Sequence, residues 1–255
     1  MRENPKIASA EGAELPPLQL EARVGGALYL VVIASAFFAE MFARGSVIVS
    51  GDAAATARNM LASETIYRLG GISDLVNLTC DVGVAAVLYR ILKPANPGLS
   101  LYAALMRVTA DICLAVATFF HFAPLLFLKP QPYLAPFAPS QLQGFAYEYL
   151  RLHNLGYDVS LVFFGIQLIA VAYLILRSAI LPRIIGVLLL ISGACYLTNS
   201  FVHLVLPQIS VPTLLLIPGL ISELALALWL LVRGFDAARW QAALDQHRLA
   251  SERHG

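Results

Sequence analysis

The stretch that decides the fold is Ile72–Leu92, ISDLVNLTCDVGVAAVLYRIL. At 1.5 Å per residue a helix of this length crosses about 30 Å, the thickness of the hydrocarbon core of a bilayer. Arg90 stands at its end, where a long side chain snorkels to the interface. The other charged residues, Asp74 and Asp81, fall with Asn77 at i, i+7 and i+3, on one helical face. Such a segment shows lipid an apolar surface and hides a polar stripe, so it needs partner helices to receive that stripe. Lipid offers no partner for free backbone groups, and the period is not that of barrel strands, so the segment is a transmembrane helix.

Five further stretches have the same character: Val24–Phe42, Leu101–Leu125, Leu155–Leu176, Ile184–Leu206 and Thr213–Val232. The whole chain agrees with them. Of its 255 residues, 59% are hydrophobic and 13% charged, against about 25% charged in a soluble domain. Its mean hydropathy is +0.74. A soluble domain of this length could not hide that much apolar surface. The net charge of +1 excludes the basic face of a nucleic-acid binder. Cys80, Cys113 and Cys195 lie inside apolar runs and form neither a disulfide framework nor a CxxC knuckle. The expected architecture is an all-α polytopic bundle of six transmembrane helices. Residues 1–23 form a polar cytoplasmic lead-in, 24–233 the membrane domain, and 234–255 a cytoplasmic amphipathic tail anchored by Trp240 and Leu244.

Lysine and arginine counts set the expected orientation. Eleven basic residues lie on the side of the termini, and five on the other: Arg44, Arg58, Arg68, Lys129 and Arg151. The positive-inside rule then places both termini in the cytoplasm. On the outer side, Gly51-Asp52 followed by Ala-Ala-Ala-Thr reads as a helix start with Asp52 as N-cap. That helix is expected over 52–69, lying on the outer interface and covering the bundle.

Eight ionisable residues fall inside the spans: Glu40, Asp74, Asp81, Arg90, Arg107, Asp111, Asp158 and Glu223. A charge at mid-membrane costs about 2.5–3.5 kcal/mol on insertion scales, so each should face the bundle interior, pair or snorkel. Counting from helix ends places Asp81, Asp111 and Glu223 near the midplane. Glu40, Asp74, His121, His153, Asp158, Asn199 and His203 fall in the outer half. Arg107 and Asp111, at i and i+4, are expected to form an intrahelical ion pair. Glu223 has no basic neighbour at helical spacing, which leaves it neutral or paired with Arg107 from another helix. Asp74, Asn77 and Asp81 serve equally well as interhelical glue.

Several segments resemble a bacterial integral membrane family catalogued as domain of unknown function 4386. They are Gly51-Asp-Ala-Ala-Ala-Thr-Ala-Arg-Asn-Met-Leu-Ala-Ser-Glu64, Tyr67-Arg-Leu-Gly70, Leu88-Tyr-Arg-Ile-Leu-Lys-Pro94, His153-Asn-Leu-Gly-Tyr157, Val162-Phe-Phe-Gly165, Leu181-Pro-Arg-Ile-Ile-Gly186 and Gly193-Ala-Cys-Tyr196. The resemblance spans residues 20–234 and implies an integral protein of a bacterial inner membrane, without supplying a reaction.

Three functions fit these residues. The first is binding or sensing of a small or lipidic ligand in an outward-facing polar cavity. Its candidate residues are Glu40, Arg58, Asn59, Asp74, Asn77, Asp81, Asp158, Asn199 and Glu223. The second is a metal-dependent membrane hydrolase in which His121, His153 and His203 hold zinc and leave a position for water. The third is a proton- or cation-coupled carrier using Asp81, Asp111 and Glu223. A scaffold with a fully packed interior stands against all three. A retinal Schiff base is excluded, because Lys6, Lys93 and Lys129 lie outside the spans.

Overall fold

The computed structural model describes residues 5–209 and 211–252, and all regular structure among them is helical. In chain order there are ten α-helices: α1 (Pro5–Phe37), α2 (Gly45–Val47), α3 (Ala53–Ala62), α4 (Glu64–Leu92), α5 (Pro97–Phe122), α6 (Pro124–Leu128), α7 (Pro139–Ser178), α8 (Arg183–Val205), α9 (Ile217–Val232) and α10 (Ala237–Glu252). A π-helical segment, Phe38–Arg44, joins α1 to α2. Among the described residues six stretches are long and apolar enough to cross a membrane: Leu15–Val47, Glu64–Leu92, Pro97–Leu128, Pro139–Ser178, Arg183–Val205 and Leu214–Val232. They coincide with the six spans read from the sequence.

Local sequence explains the helix ends. Asp52 is the N-cap of α3, its carboxylate accepting from Ala55 N at 2.8 Å. Asn96 does the same for α5, accepting from Leu99 N at 2.9 Å, with Pro97 in the first turn. The helix expected over 52–69 is divided. α3 stops at Ala62, Ser63 leaves helical geometry, and α4 starts at Glu64 and runs through the membrane. Tyr67, expected on the surface helix, thus belongs to the second span and is fully buried. The described part of the lead-in is likewise helix, with Pro16 and Pro17 inside α1. Residues 1–4 and 253–255, the ends of lead-in and tail, lie outside the described residues.

The spans close into a ring. α1 packs on α4, α4 on α5, α5 on α7, α7 on α8, α8 on α9, and α9 back on α1. On the face that bears the termini, Gln19 Nε2 donates to Phe235 O at 2.7 Å, tying α1 to the chain leaving α9. Trp240 of α10 is buried there and packs on Phe235. Just inside this stitch, α1 and α9 touch backbone to backbone: a Cβ on Gly26 would stand 2.4 Å from Leu231 N. Small residues allow such approaches between membrane helices, where dispersion replaces the hydrophobic effect as the attraction.

This contact supplies a test. Gly26→Val forces the two backbones apart, so the variant is expected to lose roughly 1–3 kcal/mol or more of stability and melt several degrees lower in detergent. Gly144→Ala is the control, because a Cβ there meets nothing within 4 Å; it should melt at or slightly above the parent temperature.

Candidate functional site

The ring of helices must receive the polar stripes that lipid rejects, and the deepest of them centres on Arg107. Its side chain is fully buried. Nε lies 2.8 Å from Asp81 Oδ2, and Nη2 bonds the other oxygen of the same carboxylate. The fork is bidentate, the geometry that best offsets the desolvation of both charges. The guanidinium carbon also sits 4.6 Å from the centre of the Tyr29 ring and 4.9 Å from that of Phe164, which adds cation–π attraction in a dry setting. Four spans therefore meet at one cation: α1, α4, α5 and α7.

The ion pair expected between Arg107 and Asp111 within α5 is replaced by this interhelical pair. A bidentate carboxylate from α4 neutralises the guanidinium and also joins two spans, which an i, i+4 partner on the same helix does not. Asp111 is left with Oδ2 unpartnered among the described residues, although only 8% of the residue is exposed. Across the interior, Glu223 on α9 accepts from Tyr196 Oη on α8 at 2.7 Å.

A second cluster lies closer to the face opposite the termini, and the π-helical segment builds it. In a π turn the amide bonds the carbonyl five residues back, as Gly45 N does with Glu40 O. The extra residue turns Arg44 inward. Its Nη1 and Nη2 reach Asp74 at 2.7 and 3.1 Å, and Nη2 also reaches Glu40 Oε1 at 2.7 Å. Nη1 stands 3.3 Å from His121 Nδ1. Since the arginine only donates, this nitrogen accepts, and the hydrogen belongs on Nε2, which donates to Tyr67 O at 2.9 Å. The Tyr67 ring stacks on the imidazole at 4.2 Å, and its hydroxyl donates to His121 O. His153 is also buried, Nδ1 bonded to Ala117 O at 3.0 Å and Nε2 unpartnered among the described residues.

The third outer histidine is elsewhere. His203 on α8 bonds Asp158 of α7 at 3.1 Å, and Asn199 bonds the same carboxylate at 3.4 Å. The zinc arrangement expected for His121, His153 and His203 is thus not formed: both His121 nitrogens are engaged by protein groups, and His203 is committed to a separate pair. Among the described residues no three His, Cys, Asp or Glu side chains come together as a metal set.

Between the two clusters the ring encloses a cavity of about 280 Å³. Its polar lining is Glu40, Asn77, Asp81, Asp111, Tyr157, Tyr196 and Glu223, and its apolar lining includes Val32, Ile33, Leu114, Leu161 and Phe164. Of the candidates named from sequence, Glu40, Asn77, Asp81 and Glu223 line it. Asn77 also donates to Val32 O at 2.8 Å, so it is glue and lining at once. Asp74 stands behind the wall on Arg44, and Asp158 and Asn199 form their own pair. Arg58 is exposed on α3, and Asn59 donates to Val47 O at 3.3 Å. The helix expected to cover the cavity contributes nothing to its lining; α3 packs instead on α6, α7 and the start of α4. Sequence reading missed Arg44, placed among the outer loop residues, and Tyr29. The signal for Arg44 was present in its i, i+4 spacing from Glu40.

Removing one partner of a buried pair strands the other, at a cost of about 3–5 kcal/mol. Asp81→Ala should therefore destabilise strongly in a detergent melt, and the double variant Asp81→Leu with Arg107→Met should recover most of the loss.

An uncharacterized protein of Archaeoglobus fulgidus is 26% identical over 177 residues, covering 67% of this chain and 85% of that protein. No solved structure matches the chain. The model of the domain of unknown function DUF4386 matches residues 24–234, from the first span to the end of the sixth, and the chain therefore belongs to the DUF4386 family.

Proposed function

We propose that this membrane protein binds a small amphipathic or lipidic ligand in the cavity between its helices, entering from the half of the bilayer opposite the termini. The observation that carries this reading is the mixed lining, in which the carboxyl groups of Glu40, Asp81, Asp111 and Glu223 share one cavity with hydrocarbon side chains. Ligand pockets combine a mostly apolar surface with a few convergent polar groups, whereas a scaffold bundle has no use for an unfilled interior. Phe37, Met41 and Leu220 at the rim are exposed while Asp81, Asp111 and Glu223 at the base are buried. An apolar rim of this kind, in a helix bundle surrounded by lipid, suits entry from the bilayer.

A proton- or cation-coupled carrier is the second reading, favoured because Asp81, Asp111 and Glu223 line one cavity. It predicts pH-dependent flux in proteoliposomes that Glu223→Gln abolishes. The excess of arginine and lysine beside the termini supports a cytoplasmic placement of both ends, in the inner membrane of a prokaryotic cell.

Two measurements test these readings. Mass spectrometry of the purified protein should find a small amphipathic molecule that copurifies, and Leu114→Trp, which fills the cavity, should deplete it several-fold while leaving the melt intact. Equal occupancy in the variant would remove the cavity from consideration. For orientation, single cysteines are introduced at Ser140 and Asp245 in a cysteine-free background. An impermeant maleimide applied to intact cells should label position 140 alone, with 245 reacting only after permeabilisation.

A further inference from the structure

Resting on the ligand-binding reading above, we infer that the ligand class is a primary alkylammonium or similar amphipathic amine, its N–H-bearing cationic head held by Asp111 and Glu223.

Charge accounting in the interior leads there. Four carboxyl groups reach the cavity wall, those of Glu40, Asp81, Asp111 and Glu223. Two cations serve this interior, and each already has a carboxylate: Arg44 has Asp74 and Glu40, and Arg107 has Asp81, with Arg107 Nη1 left unpartnered among the described residues. Neither Asp111 nor Glu223 forms an ion pair among the described residues. Asp111 moreover has a buried carboxyl oxygen, Oδ2, with no hydrogen-bond partner among the described residues, and its side chain lines the cavity together with Asp81. Buried acceptors in native proteins are nearly always satisfied, and a side chain that lines a cavity is within reach of what enters it. A ligand that brings a cation and hydrogen-bond donors together completes both deficits at once. A quaternary ammonium completes only the charge, an alcohol only the hydrogen bond, and a carboxylate neither.

The remaining lining fits the rest of such a molecule. Tyr157 and Phe164 line the same cavity and bring aromatic rings to it, the Phe164 ring being already engaged by Arg107. From there Ile33, Leu114 and Leu161 lead to the exposed Phe37, Met41 and Leu220 at the rim. About 280 Å³ is near the lower limit for a ligand pocket, enough for a head and the first part of a chain whose remainder lies along the rim in lipid.

The test uses the full-length protein in phosphatidylcholine nanodiscs, with empty discs subtracted, and four probes of equal chain length: decylamine, decyltrimethylammonium, decanol and decanoate. Decylamine should bind saturably and about tenfold or more tighter than each of the others. Asp111→Asn should weaken decylamine by about tenfold, the loss expected for one charge-assisted hydrogen bond, and leave decanol unchanged. Glu223→Gln is the second variant and should act in the same direction; thermal melts of both, within a few degrees of the parent, establish that they fold. Equal binding of decanol or decanoate, unaffected by either variant, overturns the amine assignment and leaves the cavity reading standing. Absence of saturable binding by all four, together with no effect of Leu114→Trp on copurifying molecules, overturns both.

Discussion

A guanidinium withdrawn from both water and lipid sits where four spans meet. Arg107 is held by a bidentate carboxylate from α4 and by aromatic rings from α1 and α7, and the helices that supply these groups are neighbours in the ring. The energetics make the arrangement binding on the rest of the fold. An unpaired charge at this depth costs several kcal/mol, so Asp81, Tyr29 and Phe164 must all arrive at one place. That requirement fixes the rotation of three helices about their axes. It also fixes which residues remain to face the interior once the pair is made, and Asp111 and Glu223 are those residues.

The outer cluster solves a related problem by a different device. Arg44 follows the apolar part of the first span, and in a regular α-helix its side chain would point about 100° away from where the extra residue of the π turn directs it. The irregularity turns it to Asp74, Glu40 and His121. Glu40 takes part in this cluster and also lines the cavity, so the two polar layers are linked through one carboxylate at the rim. The histidines here are structural members of the network through His121, whose two ring nitrogens bridge an arginine and a backbone carbonyl of the neighbouring span.

Span number and placement were legible in the sequence because apolar length is a direct physical requirement of the bilayer. The stripe Asp74–Asn77–Asp81 was legible for the same kind of reason: three polar residues at i, i+3 and i+7 have to face inward together, and all three are buried. Partner choice was not legible. Helical spacing offered Asp111 to Arg107, and the fold gave it Asp81, because the competing partner lay on a helix whose rotation the sequence does not state. Arg44 escaped notice since its inward aim depends on one π turn, which residue spacing assigned to ordinary α-helix does not reveal. The break at Ser63 was hidden too, since nothing between Thr56 and Tyr67 is a strong helix breaker.

The length of α7 has a mechanical consequence. Its 40 residues make a rod about 60 Å long, and along that rod lie Tyr147, bonded to Gly51 at the start of the outer helix, then His153, then Tyr157, Ser160 and Phe164 on the cavity wall. Pivoting about one end, a stiff lever of this length moves its other end by about 1 Å, and the cavity wall near its middle by about 0.5 Å, for each degree of tilt. Whatever presses on the loops at one surface is therefore felt at mid-membrane as a displacement comparable to the tolerance of a hydrogen bond, without any helix having to unfold.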